Sequence, residues 1–256
     1  MSEVTRLIEH PEISRIEVYP SVAPLARAAA HAIIEVVKQN PNAVITYATG
    51  DTMIPIYQAV ASIINQDTTF FRETKAFHLD EYFPADPNVN EFSFVRYLRQ
   101  RVFGPLQIPP DNIFEIDGTA RDAGEEALRY DRVLSENPVA LAILGIGPGG
   151  HIGFNERGAK FELRTRYTCL SGETIHRDHV ERGLSTPETV ITQGPANILE
   201  ADRILMIAFG SKKGEYLHEA LCGSVTPDCP ASALRTDGKK VTIIIDETAA
   251  EVLERK

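Results

Sequence analysis

The chain has 256 residues, 43% of them hydrophobic and 24% charged, with no Trp and a formal charge of −10. That length suits one large domain or two small ones and can bury a full core. The acidic balance argues against non-specific binding to nucleic acid or to an anionic membrane surface, but leaves anionic small molecules open, because a local site can oppose the net field.

In chain order, residues 15–20 (RIEVYP) read as a strand. Residues 21–40 follow with helical periodicity, Ser21 standing at the N-cap position and Pro41 just past the end. Residues 43–48 (AVITYA) form the next strand, then a Thr-Gly-Asp-Thr turn and a second helix over 53–65 (MIPIYQAVASIIN). Further strands are expected at 75–80, 112–116, 139–147, 203–210 and 240–246, with helical stretches between most of them. This alternation predicts an α/β protein: a three-layer, Rossmann-like fold with a mainly parallel central sheet flanked by helices. Continuous apolar strands such as ALAILGIG suit a sheet covered on both faces. No repeat, low-complexity segment or Gly/Ser/Pro-rich linker divides the chain, so residues 1–256 are expected to form one domain. Cys169, Cys222 and Cys229, with no Cys-x-x-Cys pair, fit a reducing compartment and no metal site. No apolar run has signal-peptide length or approaches the roughly 20 residues of a membrane span, so a cytoplasmic location is expected.

In such a sheet, functional groups gather beyond the carboxyl ends of the strands. The polar sets standing there are Thr49-Gly50-Asp51-Thr52, Asp80-Glu81, the loop from Gly147 to Glu156, and Gly210-Ser211-Lys212-Lys213. The first is a strand–Gly turn–helix start that suits a phosphate, although on this stretch alone a helix simply capped by Asp51 or Thr52 is the commoner reading. Asp80 and Glu81 offer carboxylates for proton transfer, or a solvated acidic turn; His78 shares the Asp80 face of the strand. His151, framed by Gly145, Gly147, Gly149 and Gly150 with Glu156 beyond, could shuttle protons near neutral pH, and a turn histidine is the equal alternative. The Gly-x-Gly-x-x-Gly spacing lacks the acidic ribose contact of a dinucleotide loop. Lys212 and Lys213 open a helix against its dipole, a conflict that an anionic partner would resolve.

Taken together, these blocks resemble the glucosamine-6-phosphate deaminase/isomerase family, whose fold is shared with 6-phosphogluconolactonases. The resemblance runs in order over roughly residues 15–250. Thr49 to Thr52 are similar to the family's phosphate loop, Asp80-Glu81-Tyr82 to its Asp-Glu-Tyr, and Gly145 to Glu156 to its Gly-His-Ile-x-Phe-Asn-Glu block. Lys213 and Pro230 to Leu234 are similar to its late lysine and Pro-Ala-Ser-x-Leu. The lactonase branch continues Gly-His-Thr-Ala-Ser instead, which places the chain nearer the deaminases. The resemblance implies that His151, supported by Glu156, opens a sugar ring, and that Asp80 carries a proton between C2 and C1. It further implies that Thr49, Gly50, Asp51, Thr52, Glu81, Gly147, Gly149, Gly150, Arg177 and Lys213 contact the sugar phosphate, with ammonia released as a ketose phosphate forms and no metal or organic cofactor. Three positions depart from the pattern. Gly149 stands where the family has an Asp, Asp51 stands where Ser or Gly is usual, and the phosphate-binding Arg aligns near Ile175, beside His176 and Arg177. Rival expectations are a lactone hydrolase of the same fold and a non-catalytic sugar-phosphate sensor. A homo-oligomer is left open.

Overall fold

The computed structural model describes residues 4–64, 67 and 69–255. The strands are β1 (Arg6–Ile8), β2 (Arg15–Tyr19), β3 (Val44–Tyr47), β4 (Lys75–His78), β5 (Asp80–Tyr82), β6 (Leu141–Leu144), β7 (Arg166–Cys169), β8 (Thr189–Thr192), β9 (Ile204–Ala208) and β10 (Val241–Asp246). The helices are α1 (Val22–Gln39), α2 (Ile54–Ile63), α3 (Phe94–Leu98), α4 (Ala123–Ser135), α5 (Gly172–His176), α6 (Pro195–Leu199), α7 (Ser211–Cys222) and α8 (Glu247–Leu253).

Seven strands form the main sheet in the order β1-β2-β10-β9-β6-β3-β4, parallel except for β1, which pairs antiparallel with β2. The inner strands β3, β6 and β9 are buried at every position, as a sheet covered on both faces requires. α1 packs against α2 and α7 against α8, while α4 lies against β7 and β8. Ser21 does occupy the N-cap position of α1, but its hydroxyl makes no cap bond.

Three differences from the sequence reading matter for the site. First, the strand expected over 75–80 is two strands. β4 ends at His78, and β5 starts at Asp80 in a separate antiparallel sheet of order β5-β8-β7. Second, residues 112–116 are not a strand. A 3-10 turn over Pro110–Asn112 occupies its start, and only an isolated bridge from Ile113 to Ala76 remains, with Phe114 stacked on Phe77 at 4.7 Å. Third, the apolar run 139–147 is strand only over Leu141–Leu144, so the Gly-rich stretch beyond it is loop. The second helix ends at Ile63; Asn65, its expected last residue, lies outside the described residues.

Candidate active site

β3 and β6 are neighbours in the main sheet, but the chain leaves them in opposite directions: β3 leads to β4 on one side, whereas β9 and β10 lie on the other side of β6. Such a switch point opens a crevice beyond the carboxyl ends of the strands. A cleft of about 450 Å³ lies there, within the range of about 300–1,000 Å³ usual for small-molecule sites. It is lined by residues 48–53, by Leu79, Asp80 and Tyr82, and by residues 145–148 with His151, Gly153 and Phe154. Phe94, Glu173, His176, Arg177, Glu181 and Arg182, and Lys212, Lys213 and Tyr216, complete the wall. A second cleft of about 490 Å³ at Pro84, Asn90 and Thr119 has Asp86 as its only ionisable lining residue, which equips it poorly for acid–base chemistry.

Asp80 sits where the chain passes from one sheet to the other. Leu79 N–H donates to the Tyr47 carbonyl of β3 (3.3 Å), and Gln193 N–H donates to the Leu79 carbonyl (2.7 Å). His78 Nε2 accepts from Ile116 N–H (3.0 Å), which leaves the proton on Nδ1 to bond the Asp80 carbonyl (3.0 Å). Burial pulls His78 down to about 4, so it is a neutral prop beneath the Asp80 backbone. The Asp80 side chain is 5% exposed. Burial first, then the neighbouring Glu81, push its carboxyl up to about 8, against the pull of the Phe154 N–H. A carboxyl so placed can hold and release a proton near neutral pH.

Strand alternation sends Glu81 to the opposite side. Its carboxylate accepts from Tyr82 N–H (2.8 Å), Ser93 Oγ (2.6 Å), Phe94 N–H (3.0 Å) and Val95 N–H (2.8 Å), and so caps α3. It is outside the cleft lining. The expected substrate contact of Glu81 is therefore corrected: the residue fixes α3, which carries Phe94 to the cleft wall.

His151 follows a 3-10 turn over Pro148–Gly150. Gly147 N–H donates to the His151 carbonyl (3.0 Å), and the imidazole packs over the Gly147 Cα, where any side chain would collide with it. Gly150, with φ of 70°, is pressed against Cys229 in the same way. Burial, then Arg177, Lys213 and Arg182, drive the imidazole down to about 3, against the Pro148 carbonyl. His151 is thus a neutral ring at physiological pH, not a group titrating near neutrality. Gly149 and Gly150 shape this turn without lining the cleft. On the side of Gly149 where a Cβ would point stands Arg157, its Nε 2.7 Å from that position. Arg157 is held by Glu219 (2.8 Å) and the Asp228 carbonyl (3.1 Å).

Glu156 also lies outside the lining. Its carboxylate accepts from Ser171 N–H (2.6 Å), Ser171 Oγ (2.8 Å) and Thr174 Oγ1, which ties the loop to the start of α5. The direct support of His151 by Glu156 expected from the motif is absent, because these donors occupy its oxygens.

At the other end of the cleft, Gly50 (φ of 104°) turns the chain into a single 3-10 turn, Asp51–Met53, ahead of α2. Neither Asp51 nor Thr52 caps a helix; exposed Asp51 instead faces the cleft and favours the charged form of Lys213. Lys213 donates to the Ile146 carbonyl. Burial, then Arg177 and Arg182, lower its ammonium to about 8. α5 continues as a π turn over Arg177–Glu181, closed by a bond from Arg182 N–H to the Arg177 carbonyl (3.0 Å). That i to i+5 bond puts Arg177 and Arg182 one turn apart, and both line the cleft. Ile175 packs instead into a small core with Tyr82, Phe154 and Leu170. Sequence reasoning missed Arg182, since residues five apart diverge on a regular α-helix. It also missed Tyr82, which the period-two spacing from Asp80 signals. Among the described residues, no group of three or more His, Cys, Asp or Glu is placed to hold a metal.

A proton-holding carboxyl and a neutral imidazole in one cleft with Arg177, Arg182 and Lys213 form an acid–base site suited to an anionic small molecule. The chain belongs to the family of glucosamine-6-phosphate isomerases and 6-phosphogluconolactonases, whose model matches residues 20–243. It is 34% identical over 229 residues to glucosamine-6-phosphate deaminase 2 of Giardia intestinalis, covering 88% of this chain and 87% of that one. Glucosamine-6-phosphate deaminase of Bacillus pumilus is 35% identical over 233 residues, covering 89% and 95%. Among solved structures, a monomeric glucosamine-6-phosphate deaminase superposes with a TM-score of 0.86 at 30% identity, covering 93% of this chain and 99% of that one. The 6-phosphogluconolactonase of Trypanosoma cruzi shares the fold, with a TM-score of 0.75 at 18% identity over 98% and 100% of the two chains.

Proposed function

We propose that this protein is an amino-sugar-phosphate deaminase/isomerase, converting glucosamine 6-phosphate or a related hexosamine phosphate to the ketose phosphate and ammonia. The observation that carries this reading is Asp80, a buried carboxyl held near pKa 8 in the wall of a cleft that also holds Arg177, Arg182 and Lys213. The relatives named as deaminases, at about one-third identity over most of the chain, support it.

In this mechanism the phosphate lies among Lys213, Arg177, Arg182 and the backbone of residues 49–52, and so fixes the sugar along the cleft. His151 takes the anomeric hydroxyl proton and passes one to the ring oxygen, opening the ring. Its neutral state fits the accepting role. The bound dianion, by offsetting the cations that add to the effect of burial, raises its basicity part of the way. Asp80, once ionised, removes the C2 proton and returns it to C1 while a proton of the C2 ammonium passes to the C1 oxygen, giving a protonated ketimine. Water adds at C2, ammonia leaves, and the ketose phosphate remains. This reading takes residues 1–256 as one domain and the cytoplasm as its location.

The test is incubation with glucosamine 6-phosphate and galactosamine 6-phosphate. The expected result is ammonia and ketose phosphate in equal amounts. Acid release from 6-phosphogluconolactone without ammonia would replace this reading with hydrolysis. Binding of sugar phosphates without turnover would replace it with a sensor.

A further inference from the structure

Asp178 is wholly buried, yet the proton-transfer steps make no use of it. It stands in the π turn directly after Arg177. Its Oδ2 accepts from the Tyr82 hydroxyl at 2.8 Å, while its Oδ1 lies 3.4 Å from an Arg182 terminal nitrogen and 3.5 Å from Arg177 Nε. A carboxylate removed from water is tolerated only where cations and donors surround it, and these three groups supply that surrounding. Arg177 Nε is buried and has no hydrogen-bond partner, so the Asp178 charge holds that guanidinium without engaging its donors. Tyr82 belongs to β5, two residues beyond Asp80, and its ring is set by Phe92, Phe94 and Phe154 at centroid distances of 5.0–5.6 Å.

We propose that Asp178 is the positioning residue of the anion end of the cleft: it holds the Arg177 and Arg182 guanidinium groups together and ties them, through Tyr82, to the strand that carries Asp80. The inference rests on the sugar-phosphate reading above and adds to it the group that sets the distance between phosphate and reacting carbons. The α5 segment has few other anchors to that strand. Ile175 contributes apolar packing, and Glu156 fixes only the start of α5.

Two variants test it. Asp178→Asn keeps the size and an acceptor for Tyr82 but removes the charge that collects the arginines. Tyr82→Phe keeps the charge and cuts the tie to β5. Inorganic phosphate binding is read by calorimetry, and kcat and KM are read with the hexosamine phosphate. Asp178→Asn is expected to weaken phosphate binding and raise KM by about tenfold or more, with kcat within about threefold of wild type. Tyr82→Phe is expected to raise KM by about threefold, because both arginine pairs survive. Phosphate affinity and KM equal to wild type, with only the melting temperature lowered, would make Asp178 structural and overturn the proposal. So would tighter phosphate binding in Asp178→Asn, which would show the carboxylate opposing the anion. If the wild type neither binds phosphate nor turns over a sugar phosphate, the functional reading fails and this proposal with it. A functional wild type with an indifferent Asp178→Asn sinks the proposal alone.

Discussion

In the proposed mechanism, Asp80 trades stability for chemistry. Its carboxyl is raised from the ordinary carboxylate range to about 8, whereas an unfolded Asp titrates near 4. Below about pH 4 both states hold the proton and the residue is neutral in its effect. Between about pH 4 and 8 the folded state keeps a proton that the unfolded state has lost, so stability falls as pH rises through this window. Asp80→Asn is therefore expected to raise stability at pH 8 by about 2–5 kcal/mol, and by nothing below pH 4, as read by denaturant melts. The same variant should lose turnover by about 10²–10⁴-fold and abolish C2 proton exchange in deuterated water, with phosphate binding retained. In the proposed mechanism, kcat/KM requires Asp80 ionised and Lys213 protonated. Because both sit at about 8, a bell centred near that pH is expected, and an optimum below pH 6 would contradict the assignment.

At the scale of elements, the loop from Gly147 to Glu156 and the α5 segment behave as one unit joined by the Glu156 carboxylate. Glu156→Gln weakens that joint without touching the cleft wall. The expected result is a stability loss of about 1–2 kcal/mol and a raised KM with kcat nearly kept. A collapse of kcat with KM unchanged would restore a direct catalytic role. Gly149 makes the converse case. Its φ of 66° is a left-handed conformation that Asp can adopt at modest cost, but the new side chain would point at Arg157. Gly149→Asp should therefore pair with that guanidinium instead of His151, and leave ring opening no faster than in wild type. Burst kinetics starting from pure pyranose anomers would detect a gain if the loop can still use a carboxylate. One extra residue in the π turn brings Arg182 over Arg177, while Ile175 faces the apolar core.

For the whole molecule, the cleft joins segments that follow β3, β4, β6 and β9 to the strap between β7 and β8. A ligand bridging them links both sheets, so inorganic phosphate at about 100 times its Kd should stabilise the fold by about 2.7 kcal/mol. An unchanged melting temperature at saturating phosphate would mean that the cations do not act together.

The sequence by itself determined the layered α/β architecture. The strands β3, β6, β9 and β10 are apolar runs whose burial on both faces needs no knowledge of their partners. It also placed Asp80, His151, Thr49 to Thr52 and Lys213 beyond strand ends, because a connection's position along the chain fixes its end of the sheet. The three-stranded sheet was not legible: β5, β7 and β8 are three or four residues each, too short for a period to stand out, and the β5–β8 pairing joins residues more than a hundred positions apart. Only the tertiary structure decided the directions and partners of the side chains. Glu81 and Glu156 carry the right chemistry in the right motifs, yet nearby hydrogen-bond donors claim both carboxylates. Arg182 and Asp178, which no motif marked, meet through a π turn that no periodicity foretells, and Asp178 accepts from the Tyr82 hydroxyl. Sequence fixes which groups a strand end offers; burial and competing hydrogen bonds fix which of them remain free for a substrate.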